Sequence, residues 1–146
     1  VPLRIVDVAN RLPAGYHHSC IALDGRVDAA ERLDPETPWR FIEPGARNGS
    51  WPREIAEAKR ILLRETPDVL CTYNWGAIDW AFANSWLSRR PHLHFESGFG
   101  PEEASGTLRR RDLFRRLALV RTSAVIVPSH TLAELASSKR WMEGSR

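Results

Sequence analysis

Cysteine is nearly absent: Cys20 and Cys71 are the two in 146 residues. They lie far apart, each in an apolar strand-like run, so a disulfide scaffold is excluded. Two buried free thiols are expected, the state of a reducing compartment. Long apolar runs are missing too. No stretch approaches the roughly 18 residues of a membrane-spanning helix, and no signal-peptide pattern is visible. An intracellular protein is expected. The chain has no internal repeats, low-complexity tracts or linker of domain-separating length. Several enzyme motifs are also absent: no nucleophile elbow, Walker loop or H-E-x-x-H occurs. Gly98, Gly100 and Gly106 do not fit G-x-G-x-x-G, and no carboxylate pair for hydrolysis can be singled out.

What is present is ordinary in bulk and regular in order. Hydrophobic residues make up 42% and charged residues 27%, with a net charge of +3. That composition suits one soluble globular domain with an adequate core. Pro2–Leu12 reads as either strand or helix. Helix is preferred, because the next strand follows too closely for anything but a hairpin, and everything downstream alternates strand with helix. Strands are predicted at His18–Leu23, Trp39–Ile42, Asp68–Tyr73 with a buried V-L-C core, His92–Glu96 and Ala124–Val127. Between them fall helices at Val27–Leu33, Pro52–Glu65, Ala77–Leu87, Leu108–Arg121 and Thr131–Lys139. Ile55, Ala58, Ile61 and Leu62 form the inner side of the second of these. Such alternation specifies a doubly wound parallel sheet of Rossmann-like α/β type. It lacks a first strand, so the chain is expected to begin partway into its fold.

The richest stretch is Pro91–Glu103, P-H-L-H-F-E-S-G-F-G-P-E-E. A strand ends at Glu96, a loop with Gly98, Phe99 and Gly100 follows, and Pro101 with Glu102 and Glu103 starts a helix. Strand ends of this kind border the ligand crevice of open α/β sheets. The glutamates at the helix start would repel a phosphate, whereas carboxylates and imidazoles suit a hydroxyl-rich ligand. The alternative is that Glu102 and Glu103 only complement the helix dipole. His92 and His94 share one strand face; with Glu96 they fall short of a metal set, and one is expected to be core or hydrogen-bonded support. Asn74 and Trp75 lie at a neighbouring strand end, as hydroxyl reader and stacking platform, or as turn and core residues. Ser129 follows the last strand, where Thr131 and Glu134 also make a capping box. Arg109, Arg110, Arg111, Arg115, Arg116 and Arg121 line one helix whose inner stripe is read as Leu113, Phe114, Leu117 and Val120. Its basic face suits solvent or an anionic membrane. With one aromatic interrupting the run, nucleic acid is not expected.

In order along the chain stand L-R-I-V-D-V-A-N-R-L, H-S-C-I-A-L-D-G, P-D-V-L-C-T-Y-N-W-G-A-I-D-W-A, H-F-E-S-G-F-G-P-E-E and A-V-I-V-P-S-H-T-L. Together they resemble the N-terminal domain of GT-B glycosyltransferases similar to glycosyltransferase family 4, over nearly the whole chain. The resemblance implies transfer of a sugar from a nucleotide-sugar to a glycan or lipid-linked acceptor, usually with retention. It implies no essential metal or resident cofactor, the nucleotide-sugar being a co-substrate. The acceptor side would be this domain, residues 1–146, truncated at both ends and inactive alone. Glu96 occupies the place where many relatives carry a donor-facing His, with His94 two residues before. These two are the catalytic candidates; Asn74, Trp75, Gly98, Phe99, Gly100, Glu102 and Ser129 are substrate-binding candidates. A cytoplasmic setting is implied, with Arg109–Arg121 available to the inner face of an anionic membrane.

Overall fold

The computed structural model describes residues 3–45, 50–98, 109–138 and 141, in two compact units, Val1–Arg47 and Asn48–Arg146. In the first unit, helix α1 (Leu3–Arg11) buries Val6 and Ala9, three apart on one face. Helix, not strand, is therefore the state of the ambiguous first run. Asn10 pins it to the following 3-10 turn (Asp28–Arg32): its Nδ2 donates to the Arg32 carbonyl at 2.9 Å, and its Oδ1 accepts from Asp34 N–H at 3.1 Å. Strands β1 (His18–Cys20) and β2 (Trp39–Phe41) pair in parallel, His18 opposite Trp39 and Cys20 opposite Phe41. β1 is shorter than expected. A turn in which Gly25 N–H donates to the Ala22 carbonyl, with Gly25 at φ +72°, takes the chain off the sheet early.

The second unit carries the larger sheet. Helix α2 (Trp51–Glu65) starts after Ser50, with Pro52 in its first turn. It buries Ile55, Ala58, Ile61 and Leu62, the predicted inner side. It stops at Thr66, which takes the left-handed conformation (φ 44°) and donates its N–H to Leu62 O; Pro67 prevents continuation. Strands β3 (Leu70–Tyr73), β4 (His92–Phe95) and β5 (Ala124–Ile126) form a parallel sheet in that spatial order. The register aligns Thr72 with His94 and Val125, and Tyr73 with Phe95 and Ile126. Helix α3 (Ile78–Ala83), extended by one wide π turn (Asn84–Ser88), and helix α4 (Arg109–Leu119) make the crossovers; α5 (His130–Ser138) follows β5. Parallel sheets joined through helices are the expected Rossmann-like α/β class.

One expectation about this sheet is overturned. Val69 is 51% exposed and Cys71 is exposed, so the V-L-C run is not buried through. Side chains alternate across a strand; Thr72 faces the buried side with His94, while on the other face Cys71 is exposed although Phe95 there is buried. Both cysteines are free thiols, and burial pushes both pKa values up, that of part-buried Cys20 to about 11.

The core on the covered side comprises Ile78, Ala81, Ala118, Leu119, Ala136 and Trp141, with Phe82, Phe114 and Val125 against it. Phe82 stacks on Phe114 at 5.4 Å and also joins the smaller cluster of Ile55, Ala58 and Ala83. Helix ends leave carbonyls without intrahelical partners, and α3 supplies donors to those of α4. Ser85 Oγ donates to Ala118 O at 2.6 Å and Trp86 Nε1 to Leu117 O at 3.0 Å. Buried Asn84 closes the turn before β4 by hydrogen bonds of 2.9 Å to both backbone groups of Arg90.

Candidate functional site

The C-terminal ends of β3, β4 and β5 lie side by side, which brings Asn74, Glu96 and the segment leading to Ser129 to one sheet edge. Asn74 has φ 56° and ψ −176°, a backbone region essentially confined to glycine that costs on the order of 1–3 kcal/mol. Three hydrogen bonds hold it there. Its N–H donates to Phe95 O at 2.8 Å, its carbonyl accepts from Ala77 N–H at 3.2 Å, and its Oδ1 accepts from Ser97 N–H at 2.8 Å. The side chain thus ties the loop after β3 to the loop after β4. Gly98, at φ +145°, has no atom of the described residues within 4 Å of the place a Cβ would take. Its glycine is required by conformation.

Glu96 is only 2% exposed. Its Oε2 lies 3.7 Å from Arg115 Nε and 3.9 Å from His94 Nε2, while Arg115 Nη1 lies 3.8 Å from Asp112 Oδ1. Arg115 itself is 1% exposed, and its guanidinium sits over Trp75 at 4.9 Å and Trp141 at 4.7 Å. A buried cation held between two indoles balances two buried carboxylates. Neither Glu96 Oε1 nor His94 Nε2 has a hydrogen-bond partner among the described residues.

Behind this pair runs a file of buried polar side chains. Thr122 Oγ1 is 2.8 Å from His92 Nδ1, His92 Nε2 is 2.8 Å from Thr72 Oγ1, and Thr72 Oγ1 is 2.8 Å from His94 Nδ1. His92 is fully buried, and burial together with nearby His94 lowers its pKa to about 3. It is therefore a neutral imidazole near neutral pH. Both histidines were expected on one face, and both are hydrogen-bonded core groups there. Among the described residues no three His, Cys, Asp or Glu side chains are grouped to hold a metal ion.

The remaining candidates divide. Trp75 is part-buried under Arg111 and Arg115, each 4.9 Å from its ring, and meets Phe114 edge-on at 6.1 Å. Ser129 is exposed and its Oγ accepts from Leu132 N–H at 3.3 Å. Ser129 is thus the cap of α5, which begins at His130, two residues before the Thr131–Glu134 box would allow. Phe99, Gly100 and Glu102 lie outside the described residues.

The basic helix is rotated from its expected setting. The buried positions of α4 are Asp112, Arg115, Ala118 and Leu119, whereas Leu113 and Leu117 are 57% and 43% exposed. Sequence reasoning missed Asp112, Arg115, Thr72, Thr122 and Trp141. A charged pair at i,i+3 spacing, Asp112 with Arg115, was the one available signal, and such pairs ordinarily sit in solvent.

A family model described as glycosyl transferase 4-like domain matches residues 3–143. Neither the curated proteins nor the solved structures gave a match.

Proposed function

Since the chain belongs to the glycosyl transferase 4-like domain family, we propose that it is the acceptor-side domain of an enzyme moving a sugar from a nucleotide-sugar to a glycan or lipid-linked acceptor. Membership carries glycosyl transfer as the general activity, with a donor and an acceptor as its general substrates. The finer reading is a retaining transfer that uses the nucleotide-sugar as co-substrate, with no metal or resident cofactor. The observation that supports it best is Glu96. Its carboxylate ends β4 with Oε1 not bonded by any described residue, in charge balance with Arg115 and beside His94. A carboxylate so held accepts hydrogen bonds from ligand hydroxyls without bringing an uncompensated charge into the site. Asn74 and Gly98 shape the loops around it.

Glu96→Gln in the full-length enzyme keeps the shape and removes the strongest acceptor. A charge-assisted hydrogen bond of about 2 kcal/mol predicts a loss of roughly 30-fold in kcat/KM for transfer. Unchanged kinetics would remove Glu96 from the site.

We further propose a cytoplasmic enzyme that touches the inner face of an anionic membrane through α4. No helix among the described residues is long and apolar enough to cross a bilayer. The support lies on the outer face of α4, where Leu113 and Leu117 are exposed among exposed Arg109, Arg110 and Arg116. Apolar side chains ringed by arginines fit a headgroup layer better than water alone. At about 1 kcal/mol per arginine, replacing those three by Gln predicts roughly 100-fold weaker binding to phosphatidylserine vesicles. The binding should also fall steeply with salt. Salt-sensitive vesicle binding without any sugar transfer would favour a second reading, a non-catalytic module that docks on anionic surfaces through the same helix.

A further inference from the structure

The file Thr122–His92–Thr72–His94 has a direction. Thr72 Oγ1 has one proton and two imidazole neighbours, so it donates to one and accepts from the other. His92 is neutral and bonded at both nitrogens, so one of them donates and the other accepts. Two arrangements satisfy these conditions. In one, the Thr122 hydroxyl accepts from His92 and its own proton has nowhere to go. Thr122 is 2% exposed, and His92 Nδ1 is its side chain's one partner among the described residues. In the other, Thr122 donates to His92 Nδ1, His92 Nε2–H donates to Thr72, and Thr72 donates to His94 Nδ1. Every proton within the file then has an acceptor, and His94 carries its own on Nε2, which faces the Glu96 carboxylate at 3.9 Å, beyond hydrogen-bond length. Each arrangement leaves one buried donor outside hydrogen-bond reach. But the first turns the His94 Nε2 lone pair toward the buried Glu96 carboxylate and the second turns an N–H toward it, which favours the second arrangement.

We infer that His92, Thr72 and Thr122 are positioning residues that hold His94 as the Nε2–H tautomer, so that His94 and Glu96 present one donor and one acceptor, the complement of a single ligand hydroxyl. The groups facing this pair are Thr72 from β3, Arg115 from α4 and, further along the file, His92 from β4 and Thr122 before β5. Arg115 already balances Glu96, so no second cation is demanded of His94. What the pair recognises rests on the sugar-transfer reading above; the tautomer does not.

The test uses long-range 1H–15N correlation spectra of the histidine-labelled chain, which read the protonated ring nitrogen without any substrate. The expected wild-type result is a bare Nδ1 and a protonated Nε2 on both His92 and His94. Thr72→Val should release His94 into a tautomer mixture, Thr72→Ser should restore the single form, and Thr72→Val should lower kcat/KM for sugar transfer by about tenfold. A proton on His94 Nδ1, or a spectrum that Thr72→Val leaves unchanged, would overturn the inference. A tautomer that shifts with no change in kcat/KM would overturn the role of the pair in recognition. Absence of transfer by the wild-type enzyme would count against the functional reading alone, since the spectra would still report the relay.

Discussion

Arg115→Ala is expected to cost about 3–5 kcal/mol of unfolding free energy, the largest effect of any single substitution in the second unit. The side chain is 1% exposed and balances Glu96 and Asp112, both buried, while filling the space between Trp75 and Trp141. Truncation leaves two carboxylates without their cation and opens a cavity between two indoles. Arg115→Lys should recover only part of the loss, because an ammonium does not stack flat between rings or span both carboxylates. Arg115→Met combined with Glu96→Gln and Asp112→Asn should approach wild-type stability, since neutral groups need no counter-charge. Urea denaturation of the four proteins checks this. Equal midpoints for wild type and Arg115→Ala would show that the cation carries no structural burden.

The second large effect is on acid stability. Folded His92 takes up a proton only near pH 3, whereas in the unfolded chain its pKa is near 6.5. Between those values the unfolded state binds more protons. Stability therefore falls as pH falls below 6.5, by up to about 1.4 kcal/mol per pH unit, until the folded imidazole itself protonates. Above pH 6.5 the group contributes no slope. Against a typical total of about 5–15 kcal/mol, two or three pH units consume much of the margin. The difference in urea midpoint between wild type and His92→Gln isolates this contribution from other titrating groups. It should shrink steadily from pH 6.5 toward 4, and a difference independent of pH would refute the assignment.

Much of this architecture is legible in the residues. Helix α2 declares itself because Ile55, Ala58, Ile61 and Leu62 recur at helical spacing, and those four are buried. Strand β4 does so because His92 and His94 alternate with Leu93 and Phe95, and strand geometry sends both imidazoles to one face. Helix α4 shows where such reading stops. Its most apolar stripe, Leu113 with Leu117, lies about 100° around the helix from the buried one, a rotation of one residue. Hydrophobicity alone chooses the wrong side, because the neighbour that decides is Glu96, a buried carboxylate that draws Arg115 inward, and Asp112 accompanies Arg115 as its ion-pair partner. A pairing between residues 19 positions apart leaves no local trace in sequence. Cys71 fails for a related reason: an apolar run does not say how far each position along a sheet face is covered, and here Phe95 is buried while Cys71 on the same face is exposed.

Two of the site candidates gain different meanings from the geometry. Asn74 spends its Oδ1 on Ser97, and Ser129 spends its Oγ on the start of α5, so both shape the edge where Glu96 ends its strand. His94, on β4, and Glu96, just beyond its end, are instead both buried, with a continuous file of hydrogen bonds behind His94.

The central claim, a sugar transferase with Glu96 at its working edge, is tested most directly by the reaction itself. The full-length enzyme is incubated with labelled nucleotide-sugars and a membrane extract, and label transferred to glycan or lipid-linked product is followed for wild type and Glu96→Gln side by side. The account predicts transfer from at least one donor, lowered roughly 30-fold in the variant. Transfer at the same rate in both would contradict the site, and no transfer from any donor would contradict the function.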